Sequence, residues 1–113
     1  MNKEILQKAI DTYGIDAQQD MVIEEALELA LAILKHRRAV KEGYPATILS
    51  RRANVVEESA DTKIMLEQVD MMFGCKDEVN KQIDFKINRL KERLQNERPY
   101  KISRYNPRFL CLL

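Results

Sequence analysis

Apolar residues recur along this chain at the three- and four-residue spacing of an α-helix. In the clearest case Val79, Ile83, Ile87, Leu90 and Leu94 step by four, four, three and four positions, which predicts a narrow apolar seam along one helix. The same spacing predicts four helices, over residues 2–12, 17–41, 51–73 and 78–97. The predicted fold class is therefore all-α, an antiparallel bundle of about four helices.

Turn-forming and capping residues separate these helices. Gly14 and Gly74 stop the first and third helices, and the glycine and proline of the segment 42–45 predict a loop between the second and third. Pro99 ends the fourth helix. The predicted N-caps of the second, third and fourth helices are Asp16, Ser50 and Asp77.

The second predicted helix is apolar on nearly every side. Residues 22–34, VIEEALELALAIL, comprise ten apolar residues and three glutamates. Such a helix is normally buried on several sides, which the other helices of one 113-residue chain can hardly provide. We therefore expect a homo-oligomer built on this helix.

Composition excludes several classes of protein. The formal net charge is +1, with 45% hydrophobic and 33% charged residues, so we expect one soluble domain and no nucleic-acid partner. No apolar run approaches the roughly 18 residues of a membrane span, and no secretory segment opens the sequence. Cys75 and Cys111 form no disulfide framework or CxxC motif. The expected location is the cytoplasm, without a membrane partner.

Two acidic pairs interrupt otherwise apolar helix faces. Glu25 and Glu28 are three residues apart on the second helix, and Glu58 and Asp61 are three apart on the third, so each pair shares one helix face. A short loop makes the two helices antiparallel neighbours, and the pairs can converge. Four carboxylates in a poorly solvated groove repel one another, and a hard divalent cation such as Mg²⁺, Mn²⁺ or Ca²⁺ relieves that repulsion.

A simpler interpretation stays open, because either acidic pair alone is typical of a solvated helix face. The chain also carries one histidine, His36, which is expected to be an exposed residue near a helix end. It forms no Glu-x-x-His pair, and this argues against the ligand set of di-iron helical bundles.

The acidic segments EEALE at 24–28 and EESAD at 57–61 resemble the MazG-like all-α nucleoside triphosphate pyrophosphohydrolases, whose pattern is E-E-x-x-E followed by E-x-x-D. These enzymes are related to the all-α dUTP pyrophosphatases and phosphoribosyl-ATP pyrophosphohydrolases. The resemblance covers about residues 15–97 and implies a helical domain over 1–98. It further implies Mg²⁺-dependent cleavage of a (d)NTP to monophosphate and pyrophosphate by a dimer or tetramer, with Mn²⁺ as a possible substitute.

The resemblance also assigns roles to individual residues. Glu24 would be the catalytic, water-activating carboxylate, and the fourth helix would bind substrate phosphate through Lys86 and Arg89. The implied metal ligands are Glu25, Glu28, Glu58 and Asp61.

Two alternatives stay open at this point. The chain could be a non-catalytic binding or regulatory module of the same fold, or a structural helical oligomer whose glutamates form salt bridges. The C-terminal tail, residues 99–113, is expected to pack on the domain or on a neighbouring subunit.

Overall fold

The computed structural model describes residues 1–97, which form four α-helices joined by short turns. The all-α prediction is confirmed, and the α2 and α3 helices pack closely against each other. Because residues 43–44 alone connect them, these two helices run antiparallel. The predicted tail lies outside the described residues. The helices are α1 (Lys3–Tyr13), α2 (Ile15–Glu42), α3 (Pro45–Phe73) and α4 (Lys76–Asn96).

Helix α3 begins six residues earlier than predicted. Pro45 occupies its first turn, where the missing backbone N–H needs no partner and the fixed φ of proline suits a helix. The N-cap is Tyr44, and the predicted cap Ser50 lies inside the helix. Asp16 and Asp77 are not caps either. They lie in the first turns of α2 and α4, where a carboxylate complements the helix dipole.

The turn between α2 and α3 is closed by a small apolar core. Gly43 has φ +80°, and its N–H donates to the carbonyl oxygen of Ala39 at 2.9 Å. Ala39, Val40 and Ile48 form a buried cluster beside this turn. His36 lies one turn earlier and is only 9% exposed. The expectation of an exposed histidine was wrong, because His36 shares a buried face of α2 with Ala32, Ala39 and Val40.

Helix α2 turns its acidic side toward α3, and no other part of the described chain covers its apolar side. Glu25 is half-buried between the two helices, whereas Ile23 and Leu27 are 61% and 65% exposed. Leu31 and Leu34 are exposed as well. Within residues 1–97, therefore, the most apolar surface of α2 lacks a covering helix.

Helices α1 and α4 contact the α2–α3 pair near the C-terminal end of α3. The carboxylate of Glu67 on α3 accepts a hydrogen bond from Lys76 Nζ at 3.1 Å and lies 3.9 Å from Lys3 Nζ. Every residue of α4 is exposed. The radius of gyration is 18.0 Å, against about 13 Å for a compact domain of 100 residues. No helix in residues 1–97 has the length and apolar character needed to cross a bilayer.

Candidate metal centre

Three carboxylates from α2 and α3 converge midway along the helix pair. Glu25 comes from α2, and Glu58 and Asp61 come from successive turns of one face of α3. Each offers one carboxylate oxygen, and these oxygens all lie within 4.8 Å of one another. All three residues are half-buried. We call these three residues the acidic cluster.

Two oxygens of the acidic cluster have no partner within the described chain. Glu25 Oε2 and Glu58 Oε2 are shielded from solvent and accept no hydrogen bond from residues 1–97. The ion pairs of this part of the chain involve Glu67 instead. A buried polar atom without a partner costs free energy, and a carboxylate costs more than a neutral group. An external cation would supply the missing partner.

Electrostatics within the acidic cluster favour protonation in the absence of a cation. Burial, followed by the charges of Glu28, Asp61 and Glu24, raises the pKa of Glu25 above its ordinary value of 4.5. Burial also raises the pKa of Glu58, and the charges of Glu28, Glu25 and Asp61 add to the effect. Each ionised carboxylate thus makes the next harder to ionise, and a bound cation would reverse this.

A hydrogen bond between the helices fixes the cluster in register. Thr62 Oγ1, on α3 next to Asp61, donates to the backbone carbonyl oxygen of Glu25 at 3.2 Å. This bond ties the α2 residue that carries one carboxylate to the α3 turn that carries the other two. The relative position of the three acids therefore depends on a direct contact between the helices.

The donor set fits a hard cation. Carboxylate oxygens are the ligands that Mg²⁺, Mn²⁺ and Ca²⁺ prefer, while the absence of histidine or cysteine from the cluster is unlike a typical zinc site. The unpartnered oxygens of Glu25 and Glu58 are free to coordinate. The residues present therefore fit the group that the sequence implies.

The structure brings together three of the four predicted metal ligands. The fourth, Glu28, is exposed and lies near enough to raise the pKa of both Glu25 and Glu58. It lines a cleft of about 240 Å³ together with Glu58, but it is outside the close group of three. Glu24 is exposed on α2, and its charge contributes to the raised pKa of Glu25.

The predicted phosphate-binding residues are on α4, away from the acidic cleft. Lys86 and Arg89 are exposed, and neither lines the cleft. The guanidinium of Arg89 lies 5.8 Å from the centre of the Phe85 ring, one turn earlier on the same helix. Their assignment stays a prediction.

Two polar residues of the cleft are not among the predicted site residues. Lys35 and Asn54 line it beside Glu28 and Glu58. Helical spacing could have indicated both residues, because Lys35 follows Glu28 by seven residues and Asn54 precedes Glu58 by four. Each therefore shares a helix face with one of the acids.

Known proteins supply no further assignment. Comparisons with protein-family models, with curated proteins and with solved structures found no match to this chain. The resemblance to MazG-like enzymes thus depends on the acidic motifs of the sequence alone and stays a prediction.

Proposed function

We propose that this protein is a Mg²⁺-dependent nucleoside triphosphate pyrophosphohydrolase that cleaves a (d)NTP to the monophosphate and pyrophosphate. One observation carries the proposal: Glu25, Glu58 and Asp61 converge from two helices and leave two shielded oxygens without a partner. A salt-bridged structural bundle would pair those oxygens with lysine or arginine, and the described residues contain no such pair. We expect the enzyme to act in the cytoplasm, on the nucleotide pool.

The acidic cluster would hold the metal, and Glu28 at the edge of the cleft would complete the ligand set or bind a metal-bound water. Bound there, Mg²⁺ would neutralise phosphate charge and lower the pKa of a coordinated water. The protein's part is to hold three negative oxygens in one place before substrate arrives. This preorganisation is the main requirement of phosphoryl transfer, which needs little covalent participation from the protein.

Glu24 is proposed as the proton acceptor. It is next to Glu25 in sequence, it is exposed, and it lies outside the group of three. A water oxygen would form a bond to phosphorus while the bond between the α- and β-phosphates breaks, with the electron pair leaving on the departing phosphate oxygen. The water proton would pass to the Glu24 carboxylate and then to solvent.

A homo-oligomer, a dimer or a tetramer, is part of the proposal. The exposed leucines of α2, together with Ile23, would be covered by a second copy, and the apolar seam of α4 offers another contact surface. Exposed apolar area of this extent is typical of a subunit interface. In such an assembly Lys86 and Arg89 of α4 would bind substrate phosphate.

Release of pyrophosphate from a panel of (d)NTPs tests the proposal. We expect turnover with Mg²⁺ or Mn²⁺ and none in EDTA. Asp61→Asn should abolish turnover while the helical circular dichroism is retained, and Glu92→Gln on exposed α4 is the matched control for loss of one carboxylate. Cation binding without turnover of any nucleotide would identify a binding module instead. A protein that binds no divalent cation would contradict the proposal entirely.

A further inference from the structure

The acidic cleft continues beyond the metal-binding carboxylates toward the turn that joins α2 and α3. Its walls are six residues, Glu28, Leu31, Ala32 and Lys35 of α2 with Asn54 and Glu58 of α3. Because the helices are antiparallel, Lys35 and Asn54 lie at the end of the cleft remote from Asp61. Lys35 is seven residues from Glu28, which is about 10 Å along the helix axis.

Lys35 and Asn54 place hydrogen-bond donors at this end of the cleft, and no acceptor in the described chain binds these donors. Both residues are half-buried. Within residues 1–97, Lys35 forms no ion pair within 4.0 Å, although it shares the cleft with Glu28 and Glu58, and the amide of Asn54 forms no hydrogen bond. Partly buried donors of this kind are stabilised by a ligand that brings acceptor oxygens.

The direction of helical side chains brings the lysine toward the metal-binding end. Side chains on a helix lean toward its N-terminus, so that of Lys35 leans toward Glu28. On α3 the same rule makes Glu58 lean toward Asn54. A lysine ammonium has donors only and a full positive charge, and therefore binds anionic oxygens more strongly than the edge of a neutral base.

We infer that Lys35 and Asn54 form an anion subsite that binds phosphate oxygens of the substrate next to the metal held by the acidic cluster. The inference rests on the proposed function and names the residues that receive the phosphate chain within the same subunit. It assigns phosphate binding to the α2–α3 cleft itself, in addition to any contribution from Lys86 and Arg89 of α4.

Two binding titrations separate this inference from the proposed function. The first measures Mn²⁺ binding, which reports on the acidic cluster. The second measures binding of inorganic pyrophosphate at saturating free Mg²⁺, which reports on phosphate without any base or sugar. Lys35→Met and Asn54→Leu remove the donors. Lys63→Met is the control, since it removes the same charge from an exposed position two residues after Asp61.

We expect Lys35→Met to weaken pyrophosphate binding about tenfold or more and Asn54→Leu to weaken it severalfold, the usual effects of losing a charged and a neutral hydrogen bond. Mn²⁺ binding should not be weakened, and Lys63→Met should resemble the wild type in both titrations. Lys35→Arg, which keeps the charge, should restore most of the pyrophosphate affinity. Retention of helical circular dichroism shows that each variant folds.

Other results overturn the inference in distinguishable ways. If the wild type binds Mn²⁺ but Lys35→Met and Asn54→Leu bind pyrophosphate as tightly as the wild type, the subsite is refuted while the metal centre stands. If the variants lose Mn²⁺ binding together with pyrophosphate, the two residues support the cluster and do not bind phosphate. If the wild type binds no Mn²⁺, the proposed function is refuted, and the phosphate subsite that rests on it is refuted as well.

Discussion

Replacing Glu25 by Gln should change the stability of this protein in opposite directions with and without a divalent cation. The substitution keeps the size of the side chain and removes one negative charge from the acidic cluster. Without metal, that charge repels Asp61, whose carboxylate oxygen lies within 4.8 Å of it. With metal, the same charge is a ligand.

The magnitude follows from Coulomb's law. Two unit charges 4.8 Å apart repel by about 0.9 kcal/mol in water and about 3.5 kcal/mol at an effective dielectric constant of 20. Because Glu25 and Asp61 are only half-buried, solvent screening favours the lower end, about 1 kcal/mol. A gain of that size raises the Tm of a domain of about 100 residues by roughly 5 °C. The metal-free variant should therefore be more stable than the wild type.

Adding Mg²⁺ should reverse the order. A ligand at ten times its Kd stabilises the native state by about 1.4 kcal/mol, a further rise in Tm of roughly 5–10 °C for the wild type. Glu25→Gln should lose most of this rise. Thermal unfolding followed by circular dichroism at pH 8, in EDTA and in Mg²⁺, measures both effects, with Glu92→Gln as the control. A variant that is less stable than the wild type in EDTA and keeps the full Mg²⁺ shift would refute the reasoning.

Three further predictions test other parts of the structure. The pKa of Glu25 and of Glu58 is raised, so the native state binds more protons than the unfolded state above the ordinary value of 4.5. Metal-free stability should therefore fall as pH rises through the raised pKa, and Mn²⁺ affinity should increase over the same pH range. If neither the metal-free stability nor the Mn²⁺ affinity changes with pH, the raised pKa of the two glutamates is contradicted. Thr62→Val removes the hydrogen bond to the Glu25 carbonyl and should lower the free energy of unfolding by about 0.5–1 kcal/mol, measured by urea denaturation, whereas an unchanged midpoint would show that the bond contributes nothing. Leu27→Glu places a charge on the uncovered side of α2 and should reduce the mass measured by light scattering to that of one chain. A wild type that is already monomeric would show that this surface has another role.

The helical pattern of the sequence predicts the architecture well and the helix ends less well. Spacing of apolar residues predicts four helices, and the short loop after α2 predicts that α2 and α3 are antiparallel neighbours. The start of α3 is missed because a Gly-x-Pro segment is typical both of a loop and of a helix that begins with proline. The buried position of His36 is missed for a different reason: it shares a face of α2 with Ala32, Ala39 and Val40, and the packing of the helices buries that face.

Convergence of the acids is predictable because the helical repeat fixes which residues share a face. The spacing of Glu58 and Asp61, with the antiparallel pairing, is enough to bring them to Glu25. Lys35 and Asn54 are harder to find, since a lysine or an asparagine on a helix is usually solvated. Only the side-by-side packing of α2 and α3 shows that these two residues line the same cleft. The sequence does not predict where Lys86 and Arg89 lie relative to the site, because α4 has few contacts with the other helices.

Diffraction from Mn²⁺-soaked crystals, recorded for the anomalous signal of the metal, tests the central claim most directly. We predict an anomalous peak within direct coordination distance of carboxylate oxygens from Glu25, Glu58 and Asp61. Side chains that turn apart into solvent, with no peak between α2 and α3, would contradict a metal centre at this position.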